Sequence, residues 1–165
     1  MARKLKNTSA SSFLRAAWGH AHAARILHPH LGLSDGKTNA TFFAFHNVLG
    51  FAIELYLKAF LAGQGWTLEA LASPAYAHKL DALLKASVES GLFDQIGFPH
   101  VRQSALERVV AIIGPRFADL SYRYIDDDNN RYEYVETSEY LWPILEDLQM
   151  RIENSGVRVP LSGQA

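Results

Sequence analysis

Residues 40–62 read almost without interruption as apolar: "ATFFAFHNVLGFAIELYLKAFLA". The stretch is too long for a strand, and it does not alternate, so it predicts a helix. A helix apolar nearly all round belongs in the middle of a bundle. Two charges nevertheless sit inside it, Glu54 and Lys58. At about 100° per residue, Asn47, Glu54 and Lys58 fall within one narrow arc, with Gly50 near its edge. Such a stripe either meets water through a slot or meets polar groups inside the fold. Glu54 precedes Lys58 by four residues, the favoured order for a helical ion pair worth about 0.3–0.5 kcal/mol when exposed. Burying those charges would cost far more unless both were fully paired. Spacing alone leaves both arrangements open.

The rest of the chain supplies partners for that helix. A first helix is predicted from the hydroxyl-rich "NTSASS" to about Leu27, with Phe13, Ala17, His20, Ala24 and Leu27 on the helical period and Pro29 ending it. "HLGLSDGKTN" reads as a loop, and "GQG" stops the apolar helix. "WTLEALAS" is a short helical turn before Pro74, and a third helix runs from near His78 to "SGLF". A fourth spans about Pro99 to Ile113, where Gly114–Pro115 is expected to break it and leave "RFADLSYRY" as a further short helix. "DDDNN" is a polar turn. The last helix begins near Thr137–Ser138 and ends by Gly156, with a kink or a later start forced by Pro143. Tyr122 and Tyr124 alternate before the polar turn, Tyr132 and Tyr134 after it, so 122–135 is left open between a short hairpin and a loop. The expectation is an all-α bundle of four or five main helices, a single domain over 1–165, with 1–7 and 157–165 as loose tails.

Composition narrows the chemistry. The 165 residues include no cysteine, which excludes disulfides, thiolate zinc sites and cysteine nucleophiles. No apolar stretch reaches 18 residues without a charge, so no membrane span is expected. The basic N-terminus "MARKLKNTSASS" lacks the apolar core of a secretory leader, and a cytoplasmic protein is expected. The net charge of −1 conceals an asymmetry. Before Asp35 every charge is basic: Arg3, Lys4, Lys6, Arg15 and Arg25. From Asp119 to Glu153 there are ten acids against Arg123, Arg131 and Arg151. These read as solvated surface, with attraction between the two ends, within one chain or across a dimer, left open.

Motifs for catalysis are scarce. His20, His22, His28 and His30 raise a metal site, but positions 20 and 22 point to different helix faces and no cysteine or carboxylate completes the set, so no metal is expected. "DDDNN" lacks the glycine and distant glutamate of an EF-hand loop. No phosphate-cradling loop and no G-x-S-x-G are present, and no cofactor is implied. The tyrosines and Trp142 near the C-terminus lie among acids, which suits a core or dimer interface better than a nucleic-acid platform.

Set together, "AIELYLKAFL", the Gly-containing break and "HKLDALL" resemble the core of the HEPN superfamily, the higher eukaryotes and prokaryotes nucleotide-binding domain. The matching positions are Glu54, Lys58, His78, Leu80 and Leu83. "LSYRY" with its polar turn resembles a later segment of such proteins and brings in Arg123 and Tyr124. The likeness covers about Phe42–Leu84 and, loosely, Leu120–Leu148. It implies a HEPN-like bundle that dimerises, with nucleotide- or RNA-linked roles and, in some members, a nucleotidyltransferase partner. On that resemblance the binding residues are Asn47, Glu54, Lys58, His78, Arg123 and Tyr124. Ribonuclease members carry Arg-x4–6-His late in the chain. This chain has no histidine after His100, so a non-catalytic homodimeric binding module is expected, for a nucleotide, RNA or a partner protein. The alternative is a metal-independent ribonuclease with a displaced Arg/His site, for which the spacing occurs early at Arg15–His20 and Arg25–His30.

Overall fold

A computed structural model describes residues 9–31, 33–34, 37–38, 40–95, 101–123, 135 and 140–159. Helix α1 covers Ala10–Leu27, and a single 3-10 turn follows at His28–His30. Two short strands, β1 (Leu33–Ser34) and β2 (Lys37–Thr38), pair antiparallel. Helix α2 is Ala40–Gly63, α3 Leu68–Leu71, α4 Leu80–Glu89, α5 Val101–Ala118 and α6 Leu141–Asn154. Among the described residues the protein is an all-α bundle of five main helices, with α3 as a short extra turn. The β1–β2 pair lies in a segment that reads as a loop. An Asp-Gly dipeptide between short runs is a hairpin signal, and Asp35–Gly36 carries it. The hairpin left open over 122–135 falls mostly outside the described residues, as does Tyr124.

Helix α2 is the hub, packing against α1, α4, α5 and α6. Helix α1 lies antiparallel to it, since His20 meets Phe51 while His28 meets Phe45. Phe45, Leu49, Ala52, Ile53, Leu57 and Leu61 are fully buried on its several sides. By length and composition α2 is also apolar enough to cross a membrane, the one such helix among the described residues, and 61% of its most apolar window is buried inside the bundle.

Local chemistry explains most of the boundaries. Ser9 caps α1 by accepting a hydrogen bond from the Ser12 amide at 3.2 Å. Gly65, at φ 93°, closes α2: the Trp66 amide reaches the Leu61 carbonyl and the Gly65 amide the Ala62 carbonyl. Helix α5 ends in the same hydrogen-bond pattern, but there Leu120 holds the left-handed position at φ 67°.

Helix α5 also runs through Gly114–Pro115, which corrects the expected break. Pro115 is exposed, so its ring meets solvent. Ile113 and Phe117, on either side, are buried and hold the helix through it. Pro143 sits third in α6, where amides lack helical partners anyway, so the outcome is a late start. Helix α4 starts two residues later than expected, after His78 at φ 58°.

One acid and one base of the C-terminal third depart from the expected solvated surface, while Asp119 and Glu146 are exposed as that reading has them. Asp147 and Arg151 are buried, with Arg151 Nε donating to Asp147 Oδ2 at 2.7 Å. The Arg151 guanidinium lies over Phe93 at 4.9 Å, and Gln95 donates to the Arg151 carbonyl, which ties α6 to the end of α4. Arg25 of the basic N-terminal segment pairs with Glu146 of the acidic one inside the same chain. Val157 is buried and leaves no room for a side chain on Gly63, so the segment expected to be loose from 157 is anchored at its first residue.

His46 is fully buried among Phe42, Phe45 and Tyr122, its Nδ1 2.8 Å from the Phe42 carbonyl. Burial lowers its pKa to about 4, against a smaller raising effect of the Phe42 carbonyl. Between about pH 6.5 and 4 the unfolded chain therefore binds a proton there that the native chain does not, and stability falls as pH falls through that window. Urea midpoints at pH 7 and pH 4.5 should show that the wild type loses about 2 kcal/mol more than a His46→Leu variant over the same interval. Equal losses in the two proteins would refute the assignment.

Candidate functional site

The site grows from the polar stripe of α2. Gly50 and Phe51 sit one turn before Glu54. A side chain at Gly50 would meet the Phe117 ring at 2.3 Å, so glycine there lets Phe117 of α5 rest directly on the α2 backbone. That contact brings the end of α5 over Phe51. The two rings meet edge to face at 5.1 Å, and the turn after α5 sets the Arg123 guanidinium over Phe51 at 4.8 Å. From the other side, His20 of α1 stacks on Phe51 at 5.3 Å.

Glu54 lies beneath this aromatic group and is only 3% exposed. One carboxylate oxygen accepts from Lys58 Nζ at 2.6 Å, and the other lies 3.0 Å from His78 Nδ1. Lys58 is 8% exposed, so the pair is buried and is not the solvated stripe that spacing alone allowed. Loss of either partner would leave a charge stranded in an apolar interior. His78 is held differently. Its side chain is 38% exposed, its ring meets Phe51 and Phe117 edge on at 6.0 and 5.8 Å, and its backbone is left-handed. A β-carbon in that conformation costs roughly 1–2 kcal/mol, which the Glu54 contact and the ring packing offset.

His20 feels two opposing effects. Burial lowers its pKa, and the nearby Glu54 carboxylate raises it less strongly. The same carboxylate lies 3.0 Å from His78 Nδ1, so it stands near histidines from two elements, α1 and the turn before α4.

Of the residues singled out in the sequence, Glu54, Lys58 and His78 are joined directly, and Arg123 joins them through Phe51. Asn47 lies two turns before Glu54 on the same helix. Its Oδ1 is buried with no hydrogen-bond partner among the described residues. Arg15 is exposed and His20 packs on Phe51 instead, so Arg15 and His20 do not assemble as a pair. Phe51 and Phe117 are the members that sequence reasoning missed, and His20, weighed there only with Arg15 or as a metal ligand, joins through Phe51 instead. Only the place of Phe51 one turn before Glu54 pointed to it. Among the described residues no group of three potential ligands is close enough to hold a metal.

No family model, no curated protein and no solved structure matches this chain. The likeness of residues 42–84 therefore rests on those residues themselves.

Two substitutions separate the roles of His78. His78→Ala loses the imidazole and keeps the strained backbone, whereas His78→Gly loses the imidazole and relieves the strain. In urea denaturation His78→Gly should be the more stable of the two by about 1 kcal/mol, with both below wild type. Two variants of equal stability would mean that the left-handed turn is not retained.

Proposed function

We propose that this chain is a non-catalytic, HEPN-like bundle that acts as a homodimer and binds a phosphate-bearing ligand, a nucleotide or an RNA end, over the polar stripe of α2. A nucleotidyltransferase is the protein partner that the resemblance suggests. The observation that carries the reading is the meeting of Arg123 and the half-exposed His78 at Phe51, above a carboxylate already matched by Lys58. Phosphate oxygens favour a planar cationic donor with a second donor beside it. Because Lys58 offsets Glu54, the charge left facing outward is that of Arg123. Asn47, whose Oδ1 is buried without a partner among the described residues, extends the row of polar groups along α2.

One observation favours a second reading, a metal-independent ribonuclease. His20 and His78 flank the same ring and the same carboxylate, with Arg123 beside them. Two imidazoles and a cation are the groups that a 2′-hydroxyl attack would use. The first reading is preferred because His20 is partly buried against Phe51, and its burial disfavours the protonated form that an acid needs.

Titration calorimetry with ATP and with a single-stranded RNA, beside light scattering, tests both readings. The expected results are a dimer mass, salt-sensitive binding that Arg123→Ala and His78→Gln each weaken about tenfold, and RNA left intact in EDTA. Absence of binding at millimolar ligand contradicts the first reading. Cleavage that both His20→Ala and His78→Ala abolish replaces it with the second.

A further inference from the structure

A second feature lies on a different face, between α4 and α5. One side of α4 (Asp81, Leu84, Lys85, Val88, Glu89) and one side of α5 (Glu107, Val110, Ala111) enclose an open groove of about 400 Å³. Its floor is apolar, since Leu84 and Val110 are nearly buried, Val88 is half-buried and Ala111 is exposed. From Asp81 to Glu89 it follows α4 for about 12 Å, a little over two helical turns.

The rim differs from the floor. Asp81, Glu89 and Glu107 are exposed acids, and Lys85 is the single base among the described lining residues. Lys85 stands four residues from both Asp81 and Glu89, yet neither forms an ion pair with it. Among the described residues Glu107 accepts a hydrogen bond only from Gln103 on its own helix. The groove thus joins an apolar floor to a rim with an excess of two negative charges. Phosphate groups are disfavoured there, which sets it apart from the α2 site and from any nucleic-acid face.

We propose that the α4–α5 groove docks an amphipathic helix of a partner protein, its apolar residues on Leu84, Val88, Val110 and Ala111 and its flanking lysines or arginines against Asp81, Glu89 and Glu107. A helix laid in a groove presents anchors at i and i+3 or i+4, and the groove length accommodates two such anchors. The acidic rim fixes the sign of the partner and sets its on-rate, while the floor supplies the burial.

The probe is a fluorescein-labelled, alanine-based helical peptide with two leucines at i,i+4 between flanking lysines, followed by fluorescence anisotropy with the full chain. One control replaces the leucines by glutamine, and another replaces the lysines by glutamate. Ala111→Arg and Glu89→Lys alter exposed positions, so both variants should fold, as circular dichroism would confirm. The expected result is saturable binding that each control and each variant weakens about tenfold. Equal binding of the glutamine control would mean non-specific charge attraction and overturn the proposal. So would binding unchanged by either variant, no binding at all, or a wild-type dimer in light scattering that Ala111→Arg makes monomeric, which would assign the groove to a second copy.

Discussion

A carboxylate buried in an apolar helix is the constraint on which the rest of this architecture depends. Water cannot solvate Glu54, so protein groups must take both of its oxygens. Lys58 takes one from a turn later on the same helix, and His78 takes the other from the turn before α4. The first contact is local and needs only a helix. The second fixes where α4 begins, because a left-handed residue at 78 is tolerated while its side chain is held at Glu54. Phe51 and Phe117 then close the lid over the same spot, and Gly50 gives them room.

The same logic operates a second time at the other end of the bundle. Asp147 and Arg151 repeat the acid-then-base spacing of Glu54 and Lys58, again buried, again with contacts to another element. Arg25 and Glu146 make the contrasting case, with about half of each side chain in water. An exposed pair of that kind contributes little, on the order of 0–1 kcal/mol. A buried pair contributes little net energy either, but breaking it is costly, so it selects one arrangement of helices over its competitors. Two buried pairs, one on α2 and one on α6, thus act as registration points between helices whose apolar faces would pack in several ways.

Much of this was legible in the sequence. The all-round apolar character of α2 announces the centre of a bundle, and the arc through Asn47, Glu54 and Lys58 announces the stripe. Burial of that stripe was not legible, because an i,i+4 pair has the same spacing in water as in a core. The left-handed His78 was hidden as well, since nothing in "AHKLDALL" requires it. Phe51, Phe117 and His20 come together only through the packing of α1 and α5 on α2, which no local pattern encodes. Pro115 misled for a related reason: local breaking propensity was overridden by burial of Ile113 and Phe117. The β1–β2 pair was hard to read because its Asp35–Gly36 signal sits amid loop-forming residues.

The central claim is that Glu54 and Lys58 form a buried, mutually dependent pair. A double-mutant cycle with Glu54→Gln and Lys58→Met, followed by urea denaturation at pH 7, measures it most directly. Each single change should cost several kcal/mol, because it strands the remaining charge, and the double change should cost less than the sum by about 2 kcal/mol or more. Single costs below about 0.5 kcal/mol with no coupling would describe a solvated stripe and contradict the account.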